Sequence, residues 1–183
     1  MARIFLGLGS NLGDRECMIK SAIQNFNKYS IKVIRVSPIY ETEPINDNGP
    51  DSSDSVLAGI KTTSQKFLNC VVLAETEYEP KELLKIVQEI EDKLGRKRIT
   101  GIRNLPRTID IDILFYDDKI IDTPNLKIPH PLLHKRSFVL IPLFDLQPDL
   151  YHPIIKKTVK DMLNSVDKTG VVLWQSQQVS TQI

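Results

Sequence analysis

Pro106-Arg107-Thr108-Ile109-Asp110-Ile111-Asp112-Ile113-Leu114 would be an ordinary buried β-strand were it not for its two acids. Successive side chains of a strand alternate faces, so Ile109, Ile111, Ile113 and Phe115 share one side, with Thr108, Asp110, Asp112 and Leu114 on the other. The isoleucine side belongs in a core. Carboxylates at i and i+2 start roughly 6 to 7 Å apart at their bases, and on a half-packed strand their repulsion calls for a cation. An arginine or a metal ion would serve. Just upstream, Lys93, Arg96, Lys97, Arg98, Arg103 and Arg107 form a positive block with no acid from Lys93 to Arg107. Phosphoryl transfer divides its labour this way, with a divalent ion on the carboxylates and phosphate oxygens on guanidinium forks. Hard oxygen ligands favour Mg²⁺. A structural ion-pair network, in which Arg98 or Arg107 neutralises the aspartates, accounts for these residues equally well.

Working outward, Glu79-Pro80 offers an N-cap and a proline at the first helical position, and Leu83, Leu84, Val87, Ile90 and Leu94 make one apolar stripe that Gly95 ends. Phe67 to Thr76 is β-rich. Before it, Glu41 to Gln65 carries Pro44, Gly49, Pro50, Gly59 and a Ser/Asp cluster, the composition of a long surface loop. Ile31 to Tyr40 is again β-rich, and a helix starting near Asp14 carries Met18, Ile19, Ala22, Ile23 and Phe26 at helical spacing. Ile4 to Leu8 supplies the first strand. The order β-α-β-β-α-β predicts an α+β, ferredoxin-like antiparallel sheet with helices packed on one face, plus a C-terminal extension. In that extension Ile120-Ile121 suggests a short strand, Arg136 to Phe144 and Thr158 to Ser165 short helices, and Val171 to Trp174 a late strand. The expected organisation is one domain over 1–175 and a Gln/Ser/Thr-rich flexible tail over 176–183.

The chain has 183 residues, 41% of them hydrophobic, enough for a core that needs no staples. A formal charge of +1 gives no global pull toward nucleic acid or an anionic membrane. Cys17 and Cys70 lack CxxC spacing, which argues against a disulfide framework or a zinc site and suits a reducing cytoplasm. No run approaches transmembrane length.

Two further groups could touch a ligand. Pro129 and Pro131 stiffen the loop at His130, which could meet a phosphate or move a proton with Arg136 nearby, although a hydrogen-bonded structural histidine is the commoner use of such a turn. Alternation puts Phe67 and Asn69 on one face, where a ring and an amide could stack on and read a flat heterocycle. The glycines of Gly7-Leu8-Gly9-Ser10-Asn11-Leu12-Gly13 lack the Walker lysine and GxGxxG spacing and are read as turn formers.

The order of these pieces resembles the 6-hydroxymethyl-7,8-dihydropterin pyrophosphokinase family. The matching elements are Gly9-Ser10-Asn11-Leu12, Tyr40-Glu41-Thr42-Glu43-Pro44, Phe67-Leu68-Asn69, Gly95-Arg96, Pro106-Arg107-Thr108-Ile109-Asp110-Ile111-Asp112, and Pro129-His130 with Arg136 six residues on. The resemblance implies an enzyme of folate biosynthesis that moves the β,γ-diphosphate of ATP, its cosubstrate, onto the pterin hydroxymethyl oxygen and releases AMP. It implies Asp110 and Asp112 as ligands of two Mg²⁺ ions, and Arg96 and Arg107 as catalytic phosphate clamps. Arg98, His130, Arg136, Gln88 and Glu91 fall to ATP, while Thr42, Pro44, Ile45, Phe67, Asn69 and Phe138 fall to the pterin. A monomer, or one domain of a multifunctional folate enzyme, is the expected assembly. Asn104-Leu105 replaces an aromatic and glycine of many relatives, and Asn125 replaces an arginine. Segments 46–65 and 95–106 are expected to close over the substrates. An interaction module of the same fold and another metal-dependent nucleotidyltransferase are the competing expectations.

Overall fold

A computed structural model describes residues 1–44, 65–97 and 106–176. Chain order gives β1 (Ala2–Ser10), α1 (Arg15–Lys28), β2 (Lys32–Val36), β3 (Tyr40–Thr42), β4 (Phe67–Thr76), α2 (Pro80–Lys93) and β5 (Asp110–Tyr116). There follow β6 (Ile121–Asp122), β7 (Lys127–Ile128), a 3-10 turn at Leu133–Lys135, α3 (Ser137–Leu146), β8 (Tyr151–His152), β9 (Lys157–Thr158), α4 (Val159–Leu163) and β10 (Val171–Leu173). The architecture is α+β. An antiparallel sheet runs β10-β3-β4-β1-β5, with β2 also pairing β4. Helix caps act where expected: Asp14 Oδ1 accepts from Cys17 N at 3.0 Å, and Pro80 opens α2.

The sheet is covered on both faces. Ile4, Leu6 and Leu8 of β1, with Leu68, Cys70 and Val72 of β4, pack against Ile19, Ala22 and Phe26 of α1 and Leu83, Val87 and Ile90 of α2. On the other face Phe5, Val71, Leu73, Leu114 and Phe115 meet Val139, Leu140 and Leu143 of α3 and Val159 and Met162 of α4. The helices therefore do not all lie on one face, because the hydrophobic C-terminal helices form a second layer. Each fully buried Leu, Ile or Phe in these layers contributes roughly 1.5–3 kcal/mol.

Three expectations need correction. Phe115 does not share the isoleucine face: Phe5 pairs Phe115 while Leu6 pairs Ile113, so Leu114 is an extra residue in a bulge that turns Phe115 to the opposite core. Gly7 and Gly9 are not in a turn but inside β1, each paired with β4 and β5. Glu41 and Thr42 belong to a strand rather than to the loop, since Thr42 pairs with Phe67 on one side and with the distant Val171 on the other. Most of the expected 41–65 loop and of the 95–106 closing segment, with Ile45, Arg98 and Asn104-Leu105, lies outside the described residues. No helix among the described residues is long and apolar enough to cross a membrane.

Candidate active site

Alternation along β1, β4 and β5 turns Gly7, Gly9, Phe67, Asn69, Asp110 and Asp112 to the face that carries α3 and α4. Gly9 pairs with Asn69 on one side and Asp110 on the other, so amide and carboxylate face each other across a residue without a side chain. Two strand spacings put their backbones roughly 10 Å apart. A Cβ on Gly9 would come within 3.0 Å of Asn69 Oδ1, and one on Gly7 within 3.3 Å of the Leu114 side chain. The glycines keep the floor of this hollow bare.

The arginines reach the carboxylates through local structure. Gly95, at φ +83°, ends α2 with a pair of reversed bonds, Arg96 N to Glu91 O and Gly95 N to Asp92 O, each 3.0 Å. That turn folds Arg96 back over the helix end, where its Nη1 donates to both Glu91 Oε1 and Asp110 Oδ1. Glu91 is buried and its Oε1 also accepts from Ile111 N at 2.7 Å, so it joins α2, Arg96 and β5. Arg107 Nη1 donates to Asp110 Oδ2 at 2.5 Å, and its guanidinium lies 5.6 Å from the Phe67 ring centre. Arg107 Nε is buried without a partner among the described residues. Both arginines that the resemblance makes catalytic phosphate clamps are thus ion-paired with Asp110.

Asn11 anchors this arrangement. Its Oδ1 accepts from Arg107 N at 2.8 Å, while its own N–H donates to Arg107 O at 3.1 Å. Nothing in the spacing of Asn11 announces this; only its place in the family-like Gly9-Ser10-Asn11-Leu12 run marks it.

Asp112 stands in a different field. Burial, then the neighbouring Asp110, push its carboxyl up to about 7, against opposing pulls from Arg136 and Arg107. Loss of water is the largest of these causes: Asp110 is met by Arg96 and Arg107, while Asp112 is the carboxylate that burial leaves poorly solvated. Among the described residues no three His, Cys, Asp or Glu side chains converge on one point. Two neighbouring hard carboxylates, one of them poorly solvated, are a donor set that would fit a divalent ion.

Beside Asp112 a cleft of about 260 Å³ is lined by Leu84, Ile111, Asp112, Ile113, Pro124, Asn125, Leu126, Lys127, His130 and Pro131. His130 N donates to Leu114 O at 3.0 Å, which fixes the His130 turn against β5. Gln88 is exposed on α2, one turn after the cleft residue Leu84. Arg136 precedes α3 with its guanidinium 5.6 Å from the Phe138 ring centre. On the other side of the glycines, Asn69 Nδ2 donates to the buried Thr42 Oγ1 at 2.8 Å, and Pro44 follows Thr42 by two residues.

Residues 5–148 match the family model described as 7,8-dihydro-6-hydroxymethylpterin-pyrophosphokinase. The 2-amino-4-hydroxy-6-hydroxymethyldihydropteridine pyrophosphokinase of Aquifex aeolicus is 37% identical over 88% of this chain and 90% of its own length. Its Bacillus subtilis counterpart is 35% identical over 93% and 89%. The folic acid synthesis protein fol1 of Schizosaccharomyces pombe is 38% identical over 94% of this chain, which spans only 21% of that protein. Among solved structures, Plasmodium falciparum HPPK-DHPS with pteroate shares the fold at TM-score 0.64 and 18% identity, over 90% of this chain and 42% of that one. Matched along most of its length by the family model and by relatives above the level at which homology is secure, the chain belongs to the 7,8-dihydro-6-hydroxymethylpterin-pyrophosphokinase family.

Proposed function

We propose that this chain transfers the diphosphate group of ATP to the hydroxymethyl oxygen of 6-hydroxymethyl-7,8-dihydropterin, a step of folate biosynthesis. The pterin oxygen forms a bond to the β-phosphorus, the bond from that phosphorus to the α,β-bridging oxygen breaks, and AMP leaves. The observation that carries this reading is the row Asn69–Gly9–Asp110, which sets a heterocycle-reading amide and a metal-type carboxylate on opposite sides of a bare strand.

Phe67, Asn69, Thr42, Pro44, Ile45 and Phe138 form the pterin site in this scheme, with Asn69 held by Thr42 so that its remaining amide positions face the ring edge. Asp110 and Asp112 would hold Mg²⁺, two ions by family likeness, which when bound would neutralise phosphate charge and polarise the attacked phosphorus. Arg96 and Arg107 carry two positive charges to the junction of phosphate and carboxylate. Glu91 acts through Arg96 as a positioning residue. His130, Arg136, Arg98 and Gln88 serve the nucleotide, with the adenine side in the cleft where Asn125 lies. The sheet and its first two helices form a ferredoxin-like core, and the protein works in the cytoplasm, as a monomer or as one domain of a longer folate enzyme.

The test is incubation with Mg²⁺, ATP and 6-hydroxymethyl-7,8-dihydropterin, with the nucleotide products resolved. AMP and pterin diphosphate are expected in equal amounts. Release of ADP, or turnover retained in both Asp112→Ala and Arg107→Ala, would refute the assignment.

A further inference from the structure

The C-terminal strand sits far in sequence from every site residue yet forms the sheet edge next to the pterin side. Among the described residues strand β10 pairs only with β3, in the register Val171 to Thr42, Val172 to Glu41 and Leu173 to Tyr40. Strand β3 is three residues long and carries Thr42, the partner of Asn69. So short a strand gains its fixed position from being paired on both sides.

Beyond β10, Trp174 locks the arrangement. Its N–H donates to Ile39 O at 2.8 Å, and its indole Nε1 donates to Glu16 Oε2 at 2.9 Å. Glu16 is held down to about 2, chiefly by its bonds to Lys20 and Trp174, so it is an ionised acceptor at neutral pH. Ser176 Oγ lies 3.1 Å from both Glu16 oxygens, so ordered contacts reach one residue past the expected domain limit. Over the indole ring, 5.2 Å from its centre, sits the Arg15 guanidinium. The Arg15 fork then divides: Nη2 meets Glu41 Oε1 at 3.0 Å and Nη1 donates to Lys66 O at 2.7 Å. Glu41 immediately precedes Thr42, and Lys66 immediately precedes Phe67. Both ends of the fork therefore stop one residue short of the pterin site.

We infer that Arg15 and Trp174 are positioning residues for pterin binding, the indole fixing the arginine whose fork braces the end of the β3–β4 ladder where Thr42 pairs with Phe67. This inference rests on the pterin site proposed above. The sheet order makes it selective, because β10 and β3 lie at one edge while β5, with the carboxylates and the nucleotide cleft, lies at the other.

The test compares Arg15→Ala, Arg15→Lys, Trp174→Ala and Trp174→Phe with the unaltered protein by calorimetry. One titration uses Mg²⁺ and a nonhydrolysable ATP analogue alone; a second uses 6-hydroxymethyl-7,8-dihydropterin with that analogue saturating. Arg15→Ala and Trp174→Ala are expected to weaken pterin about tenfold, the scale of one or two lost hydrogen bonds, with nucleotide affinity within about twofold. Trp174→Phe, which keeps a ring under Arg15, and Arg15→Lys, which keeps the charge without the fork, should fall between. Unchanged pterin affinity in both alanine variants, or equal weakening of both ligands, overturns the inference. Asn69→Ala separates this from the underlying reading. If Asn69→Ala weakens pterin and the clamp variants do not, only the clamp fails; if Asn69→Ala has no effect, the pterin site and the clamp fall together.

Discussion

Asp112→Asn is expected to make the metal-free protein more stable while abolishing turnover. An isolated carboxyl titrates at 3.8, and burial beside Asp110 raises Asp112 to about 7. Below about pH 4 folded and unfolded chains both hold the proton, and Asp112 carries no penalty. Between 3.8 and about 7 the unfolded chain releases a proton that the folded chain keeps, so folding stability falls as pH rises. Above that window the folded protein bears the whole cost, at most ~4 kcal/mol for a displacement of that size. Asparagine still has a polar amide to satisfy, so a gain of ~1–3 kcal/mol at pH 8 is expected, shrinking by more than half at pH 5. Urea unfolding at the two pH values in EDTA measures it, with thermal melts expected to rise by ~2–4 °C per kcal/mol for a chain of this size. Mg²⁺ should then stabilise the unaltered protein and leave the variant unmoved. A variant less stable than its parent at pH 8, or a gain equal at both pH values, would show that burial does not penalise the Asp112 carboxylate.

Gly9→Ala should weaken pterin binding about five- to tenfold and leave nucleotide affinity alone, since its methyl would meet Asn69 Oδ1 at 3.0 Å and push the amide off Thr42; paired calorimetric titrations would read both, and equal loss of both ligands would contradict the bare-floor argument. Glu91→Ala should cost ~2–4 kcal/mol in urea unfolding by orphaning the buried Ile111 N–H and one partner of Arg96. Glu91→Gln, which keeps an acceptor for Ile111, should recover most of that stability but not the turnover; full activity in Glu91→Gln would mean that Arg96 needs no anionic anchor.

Legibility followed the range of the interactions involved. Helices α1 and α2 and strand β4 could be located from periodicity and caps because their signals are local: the apolar stripe of α2, Pro80 at its start and Gly95 at its end each act within a turn or two. Strand β3 could not, because Thr42 becomes strand through partners distant in sequence, Phe67 on one side and Val171, over a hundred residues away, on the other. The bulge at Leu114 was hidden for a related reason, since alternation presumes a regular ladder and only the pairing with Phe5 and Leu6 breaks it. Within the site, residue types that carry chemistry stood out by charge and spacing. Asn11, Glu16 and Arg15 did not, because a residue that holds another residue has no fixed spacing from what it holds.

The two glycines of β1 show why the proposed site spans an inner strand, with β4 on one side of it and β5 on the other. Transfer between two substrates needs both held by rigid neighbours yet reactive across a short gap, and loops seldom offer that rigidity. Here β4 presents Asn69 and β5 presents Asp110, each in register with the same residue of the strand between them, Gly9. Their separation is therefore set by sheet geometry, roughly 10 Å, and not by loop conformation. The strand between them must contribute backbone but no side chain, which is a requirement that only glycine meets. The arginines then enter from the strand's end, Arg107 pinned to the turn after β1 by Asn11 and Arg96 by the Gly95 turn. A hollow floored by a strand paired on both sides, with Asn69 on one bank and Asp110 on the other, would in the proposed reaction fix the separation of pterin and metal before either substrate binds.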